Sequence, residues 1–297
     1  MHWRSPALPP SGESLPTPDV SFRLALGVYA AALFAPALAA VAAGALTPGP
    51  AGTYVVFVGV TTLVLVGVGV AAGRVRGIAE RIGAGPVSWA LPLGGLLASA
   101  AYVAVTFADG LISGTLTALG AFTAGLGVLI GLLVRRMARS RYAAVLVADA
   151  ETVAEWTAGW PKRRRLRVGV VAAALVFFGL TAFIGGVLPG GAVVEAVGAV
   201  AYVVGVGLIG TGNERTYRVT ERGLERSNQF GRWLIDWNDV VGVGTTDTEL
   251  LIRRRQWYRP AIRCSLDDID DAEAARDALR RYTPRTQETD DGPGSQR

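Results

Sequence analysis

From Leu24 to Thr211 the chain alternates between long apolar runs and short polar or basic breaks. A helix needs roughly 20 apolar residues to cross a hydrocarbon core of about 30 Å. Six runs approach that length: Leu24–Leu46, Tyr54–Gly73, Val87–Ala108, Leu111–Val134, Val168–Leu188 and Ala192–Thr211. Each is expected to be helical, because backbone polar groups find no water inside a bilayer. After Thr211 the pattern switches to a period of two, the signature of strands. The expected strands are Thr216–Thr220, Leu224–Phe230, Trp233–Trp237, Val240–Thr245, Glu249–Arg254 and Pro260–Leu266, with a tight turn at Glu221-Arg222-Gly223. A helix should follow from Asp267 to Tyr282. Asp267, Asp268, Asp270 and Asp271 crowd its start and Arg276, Arg280 and Arg281 its end, as the helix dipole favours. Ile269, Ala272, Leu279 and Tyr282 form its apolar stripe.

The expected fold class is an α-helical polytopic membrane protein, with six transmembrane helices in three hairpins and a small C-terminal β-meander closed by a helix. The expected organisation is a disordered tail over 1–22, a six-span domain over 23–212 containing a loop at 135–167, a sheet domain over 213–282, and a disordered polar tail over 283–297. The first run is too long, and follows too long a tail, for a cleaved signal peptide.

Charge sets the orientation. Thr47–Thr53 and Pro189–Gly191 carry none, and the turn at Asp109 and Gly110 has a single acid. Arg74–Pro86 carries Arg74, Arg76 and Arg81 against Glu80. Arg135–Arg167 carries nine basic residues against three acids. The positive-inside rule puts these basic segments, and with them both termini, in the cytoplasm of a multi-pass cell-membrane protein. The positive surplus lies in loops between spans, which argues against nucleic-acid binding. Within the spans, Pro36 and Pro92 mark kink positions. Glu195, near the outer end of the last run, is the best candidate for an intramembrane charge.

The second helix of each hairpin ends similarly: Gly67-Val-Gly69-Val-Ala-Ala-Gly73, Gly125-Leu-Gly127-Val-Leu-Ile-Gly131 and Gly205-Val-Gly207-Leu-Ile-Gly210. Repeats on this scale occur in transporters. The stronger reading assigns Gly69, Gly73, Gly127, Gly131 and Gly205 to close helix packing, with homo-oligomerisation a possible use. The third copy matches a dinucleotide fingerprint, but that fingerprint needs a preceding strand in a soluble unit, and here it lies inside an apolar run.

Candidate chemistry is sparse. Cys264 is the sole cysteine and His2 the sole histidine. Intrachain disulfides, His/Cys zinc sites and Ser-His or Cys-His catalytic pairs are excluded. No paired carboxylates share a depth in the spans, so no enzyme, metal or cofactor is expected. Two basic clusters remain. Lys162, Arg163, Arg164 and Arg165 follow Trp160-Pro161, after a mildly amphipathic stretch, Tyr142–Trp160, expected to be helical. Arg253, Arg254 and Arg255 precede Gln256-Trp257-Tyr258-Arg259 at an expected hairpin tip, where Trp257 either stands exposed or folds back on the core. Both clusters suit contact with anionic lipid headgroups or an acidic partner.

The residues Tyr217-Arg-Val-Thr220, Gly223-Leu224 and Trp233-Leu-Ile-Asp-Trp237-Asn-Asp239-Val240, followed by the terminal helix, resemble the bacterial pleckstrin-homology-like domain family. The resemblance spans Glu214–Tyr282 and implies a binding or assembly module without catalytic residues. The copy is short, with one strand of the usual barrel missing or abbreviated. Two functions follow as expectations: a non-enzymatic membrane scaffold whose terminal domain binds a protein partner or membrane lipids, or a transporter or channel built from the three hairpins with that domain regulatory.

Overall fold

The computed structural model describes residues 15–46, 49–107, 114–185, 191–209, 213–229, 231–257 and 259–283. The chain divides into two compact units: residues 1–148 with 231–233, and the remainder. The first contains α1 (Val20–Leu46), α2 (Pro50–Arg74), α3 (Ile78–Ala84), α4 (Ala90–Phe107) and α5 (Gly114–Val147). The second contains β1 (Thr152–Ala158), α6 (Lys162–Gly185), α7 (Gly191–Ile209), β2 (Arg215–Thr220), β3 (Gly223–Asn228), the end of β4 (Gly231–Ile235, whose first three residues count with the first unit), β5 (Val240–Thr245), β6 (Glu249–Arg254), β7 (Ile262–Ser265) and α8 (Ala272–Tyr282). Among the described residues five helices, α1, α2, α4, α5 and α6, are long and apolar enough to cross a membrane; the apolar part of α7, Val197–Ile209, is shorter.

In the first unit α1 packs on α2, α4 on α5, and α5 also on α1 and α3. Asp19 starts α1: its carboxylate accepts from the backbone N–H of Phe22 at 2.9 Å and pairs with Arg141 on α5. Pro36 interrupts α1, since it lacks the N–H of a helical bond. One residue on, the Tyr102 hydroxyl of α4 enters the ladder, donating to Leu33 O at 2.9 Å and accepting from Ala37 N at 3.0 Å. A proline opening is thereby re-satisfied by a neighbouring helix, which apolar surroundings require. At 34 residues, α5 measures about 51 Å. It runs past the expected end at Val134, so Arg135, Arg136, Arg139 and Arg141 lie on helix rather than in a loop.

The second unit corrects the expected organisation. Tyr142–Trp160 is not one helix: α5 ends at Val147, and Thr152–Ala158 is a strand. β1 pairs antiparallel with β2, Trp156 opposite Tyr217 and Ala158 opposite Arg215. Its buried positions, Trp156 and Ala158, have the period of two that a sheet face demands. The sheet domain therefore begins before α6 and resumes after α7. The expected boundary at residue 213 omitted one strand, and β1 supplies it.

Two antiparallel sheets, ordered β1-β2-β3-β4 and β5-β6-β7, share one core. Trp156 stacks on Tyr217 with centroids 5.7 Å apart, beside Val219, Leu224, Leu250, Ile252 and Cys264. β2 and β3 join through the expected turn, where Gly223 has φ 152°, a region that favours glycine. α8 begins later than the expected Asp267. Leu266–Asp268 form a short 3-10 turn, and Asp271 caps α8 by accepting from Ala274 N at 2.9 Å. Ala275, Ala278 and Leu279 face the core, and Tyr282 stacks on Trp237 at 5.2 Å.

Candidate anion-binding cavity

Three strands carry arginine where their inward rows reach one end of the sheet domain. On β2 the row is Arg215, Tyr217, Val219; on β3, Leu224 and Arg226; on β6, Leu250, Ile252, Arg254. The apolar members of these rows are buried in the core, and register sets Tyr217 opposite Arg226. Strand geometry then aims Arg215, Arg226 and Arg254 toward the interior side of the sheets. They line a cavity of about 240 Å³ with Trp160, Arg164, Arg259, Pro260, Ala261, Ile262 and Arg263. Among the described residues the lining holds six arginines and no carboxylate.

Acids stand behind two of them. Arg259 lies 3.5 Å from Asp239, and Arg263 2.9 Å from Glu249. Trp160 forms an aromatic wall: the Arg164 guanidinium lies 4.8 Å and that of Arg215 5.8 Å from its ring. Burial pushes the Arg226 guanidinium down to about 10, and the nearby positive charges of Arg215 and Arg254 push it the same way. Arg254 is lowered by burial and then by Arg259. Gathering like charges at a half-buried site is unfavourable unless an anion joins them.

The elements that fill the cavity also fix its place. Arg164 belongs to the first turn of α6, and Arg215 opens β2 shortly after α7 ends at Ile209. The cavity thus lies at the end of the sheet domain from which both apolar helices depart.

The structure scatters some expected site residues and gathers others. Of the first basic cluster, Arg164 enters the cavity. Lys162 lies 3.4 Å from Asp267, and Arg163 and Arg165 are exposed on the outside. Of the second, Arg254 and Arg259 line the cavity, whereas Arg253 and Arg255 are exposed. Trp257 is 94% exposed, so it does not fold back on the core. Tyr258 lies outside the described residues. Arg215, Arg226, Arg263 and Trp160 complete the site and were not singled out as binding residues from sequence. The available signal was an arginine continuing an inward alternating row, as in Leu250-x-Ile252-x-Arg254.

The glycines occupy varied settings. A side chain at Gly131 would meet the backbone of Leu91 and Pro92 at 2.9–3.0 Å, and one at Gly205 the backbone of Ala172 and Val176 at 2.8–2.9 Å. Gly127 faces the Leu33 side chain. Gly69 and Gly73 make room for Arg23 of α1, whose Nε donates to Gly69 O at 3.0 Å. The three motif copies do not place equivalent glycines in contact: Gly205 touches its neighbour helix, whereas Gly67 and Gly207 face open space. Glu195 belongs to α7, but its side chain is outside those described.

A second cleft, of about 470 Å³, lies between β1 and the start of α8 and is lined by Glu155, Asp268, Asp270 and Asp271. Three of these acids serve the fold. Glu155 pairs with Arg218 at 2.9 Å, Asp268 accepts from Gly159 N at 2.9 Å, and Asp271 caps α8. Cys264 is fully buried, and burial raises its thiol to about 11, which makes it a core residue rather than a nucleophile. Compared with protein families, curated proteins and solved structures, the chain matches none.

Proposed function

We propose that this protein is a non-enzymatic scaffold of the cell membrane whose sheet domain binds a phosphate-bearing anion at the inner membrane surface. In this reading the chain crosses the bilayer six times, as three hairpins, with both termini in the cytoplasm. The sheet domain is of pleckstrin-homology-like type, split by the third hairpin: β1 precedes α6 and the other strands follow α7. Seven strands in sheets of four and three, closed by one helix, support that assignment. The Arg-rich flanks of the apolar helices support the orientation.

The observation that carries the anion is the cavity lining: among the described residues, six arginines, three of them at inward strand positions, and no carboxylate. Guanidinium groups present planar, paired donors that match phosphate oxygens, and a cluster of them retains positive charge even where burial opposes it. Inorganic pyrophosphate is a suitable probe of this chemistry. Added to the full-length protein in detergent, it should raise the thermal midpoint by several degrees, as any ligand of the folded state does. In Arg226→Gln and Arg254→Gln that rise should disappear. Each variant's rise is read against its own unliganded midpoint, so a change in intrinsic stability does not blunt the comparison. A wild-type midpoint insensitive to pyrophosphate, or variants that keep the full rise, would refute the reading.

A further inference from the structure

We infer that the anion is the phosphate of a membrane lipid whose acyl chains run along α6, and not a free soluble phosphate. The inference rests on the anion-binding reading above and adds the source of the phosphate.

One wall of the cavity is contributed by an apolar helix. Arg164 lines it from the first turn of α6, and helical spacing sets Val168, Val171 and Leu175 on the Arg164 side of the helix. Val171 is 52% exposed, and Val168 and Leu175 are half-buried. This stripe flanks the seam with α7, and Val171 stays exposed beside it. The seam uses the adjoining face, where Gly205 meets Ala172 and Val176, and Gly179 meets Gly198 and Tyr202. A ligand seated against Arg164 therefore has apolar surface next to it in one direction, and polar sheet domain in the other. An amphipathic molecule matches both, whereas a soluble anion leaves the apolar stripe unused.

A second observation comes from the lining residues of β6, β7 and the turn between them. Arg254, Arg259 and Pro260–Arg263 belong to β6, β7 and their connecting turn, and Trp257 projects from that same turn, 94% exposed. Tryptophan flanked by arginine favours the headgroup layer of a bilayer. Trp160, which also lines the cavity, sits two residues before α6 begins at Lys162. One indole, Trp160, thus lines the cavity beside the start of an apolar helix, and a second, Trp257, is exposed on the turn that carries Arg259, a composition suited to headgroup depth.

The test compares dioctanoyl phosphatidic acid with glycerol 3-phosphate, which carry the same phosphate monoester with and without acyl chains. Both are titrated onto the full-length protein in detergent, and bound copies are counted by native mass spectrometry. The lipid should bind at least about tenfold more tightly, since burying even two or three methylenes is worth that much. Arg226→Gln should weaken both ligands. Val171→Gln should narrow the gap while leaving glycerol 3-phosphate binding unchanged. Equal wild-type affinity for the two ligands would overturn the lipid inference and leave the anion cavity standing. Tight lipid binding that ignores Arg226→Gln would overturn it as well, because the lipid would then sit elsewhere. If neither ligand binds, the inference falls together with the reading beneath it. The wild-type comparison needs no variant, so a poorly folding substitution does not blunt the test.

Discussion

Trp156→Ala tests whether a segment between two apolar helices is a structural strand of a domain resumed only after the second of them. Trp156 is 6% exposed and lies in the shared core, stacked on Tyr217 with 14° between the ring planes. An aromatic side chain buries about 150–250 Å². At about 25 cal/mol per Å² this amounts to about 4–6 kcal/mol of apolar burial. Large-to-small core substitutions of this kind cost about 3–5 kcal/mol in practice. Domains of this kind are stable by about 5–15 kcal/mol, so the loss is a large share of the total. A loss of about 4 kcal/mol raises the opened population about 1,000-fold. Hydrogen exchange of the full-length protein, read by mass spectrometry on peptides covering β2 and β7, should accelerate on that scale. Both strands lie far downstream of the substitution, beyond α6 and α7. Were residue 156 on a loop helix apart from the sheets, those peptides would keep their protection. Unchanged exchange in β2 and β7 refutes the inserted-strand architecture.

Three further outcomes follow. Thr157 and Thr216 face each other across β1 and β2 with hydroxyls 3.3 Å apart, so Thr157→Cys/Thr216→Cys should oxidise to an intrachain disulfide, visible as altered gel mobility without reductant; failure to form it under mild oxidant contradicts the register. Tyr102→Phe removes the hydroxyl bridging Leu33 O and Ala37 N at the Pro36 opening, and should lower stability in detergent by about 1–2 kcal/mol, measured by thermal unfolding; a neutral effect means the opening has another partner. Cys264 should resist maleimide near neutral pH in the native protein and react once denatured. Its folded pKa is raised from 9.0 to about 11, so the stability contributed by the neutral thiol is complete below pH 9.0 and is lost as pH rises through about 11; native labelling at pH 7 would contradict its placement in the core.

Sequence alone determined the helices long and apolar enough to cross a membrane, because apolar runs of bilayer length are a local property and need no tertiary partner to be read. It likewise determined the sheet region after Thr211, the turn at Gly223 and the terminal amphipathic helix, since alternation, turn chemistry and dipole-matched charge are written within a few neighbouring residues. It named Arg164, Arg254 and Arg259, but as members of two separate clusters. Only the tertiary structure decided what brings them together. β1 was mistaken for the end of a helix because Tyr142–Trp160 is compatible with either period over so short a stretch. The partner that selects the strand, β2, lies beyond two apolar helices, and no local pattern records a pairing at that distance. The cavity was hidden for the same reason. Arg215, Arg226 and Arg254 each look like a charge near a strand end, and they become one site when register aligns three inward rows at the same edge of a shared core. The extra length of α5 and the entry of Tyr102 at Pro36 also depended on contacts between helices, which the apolar composition permitted but did not specify.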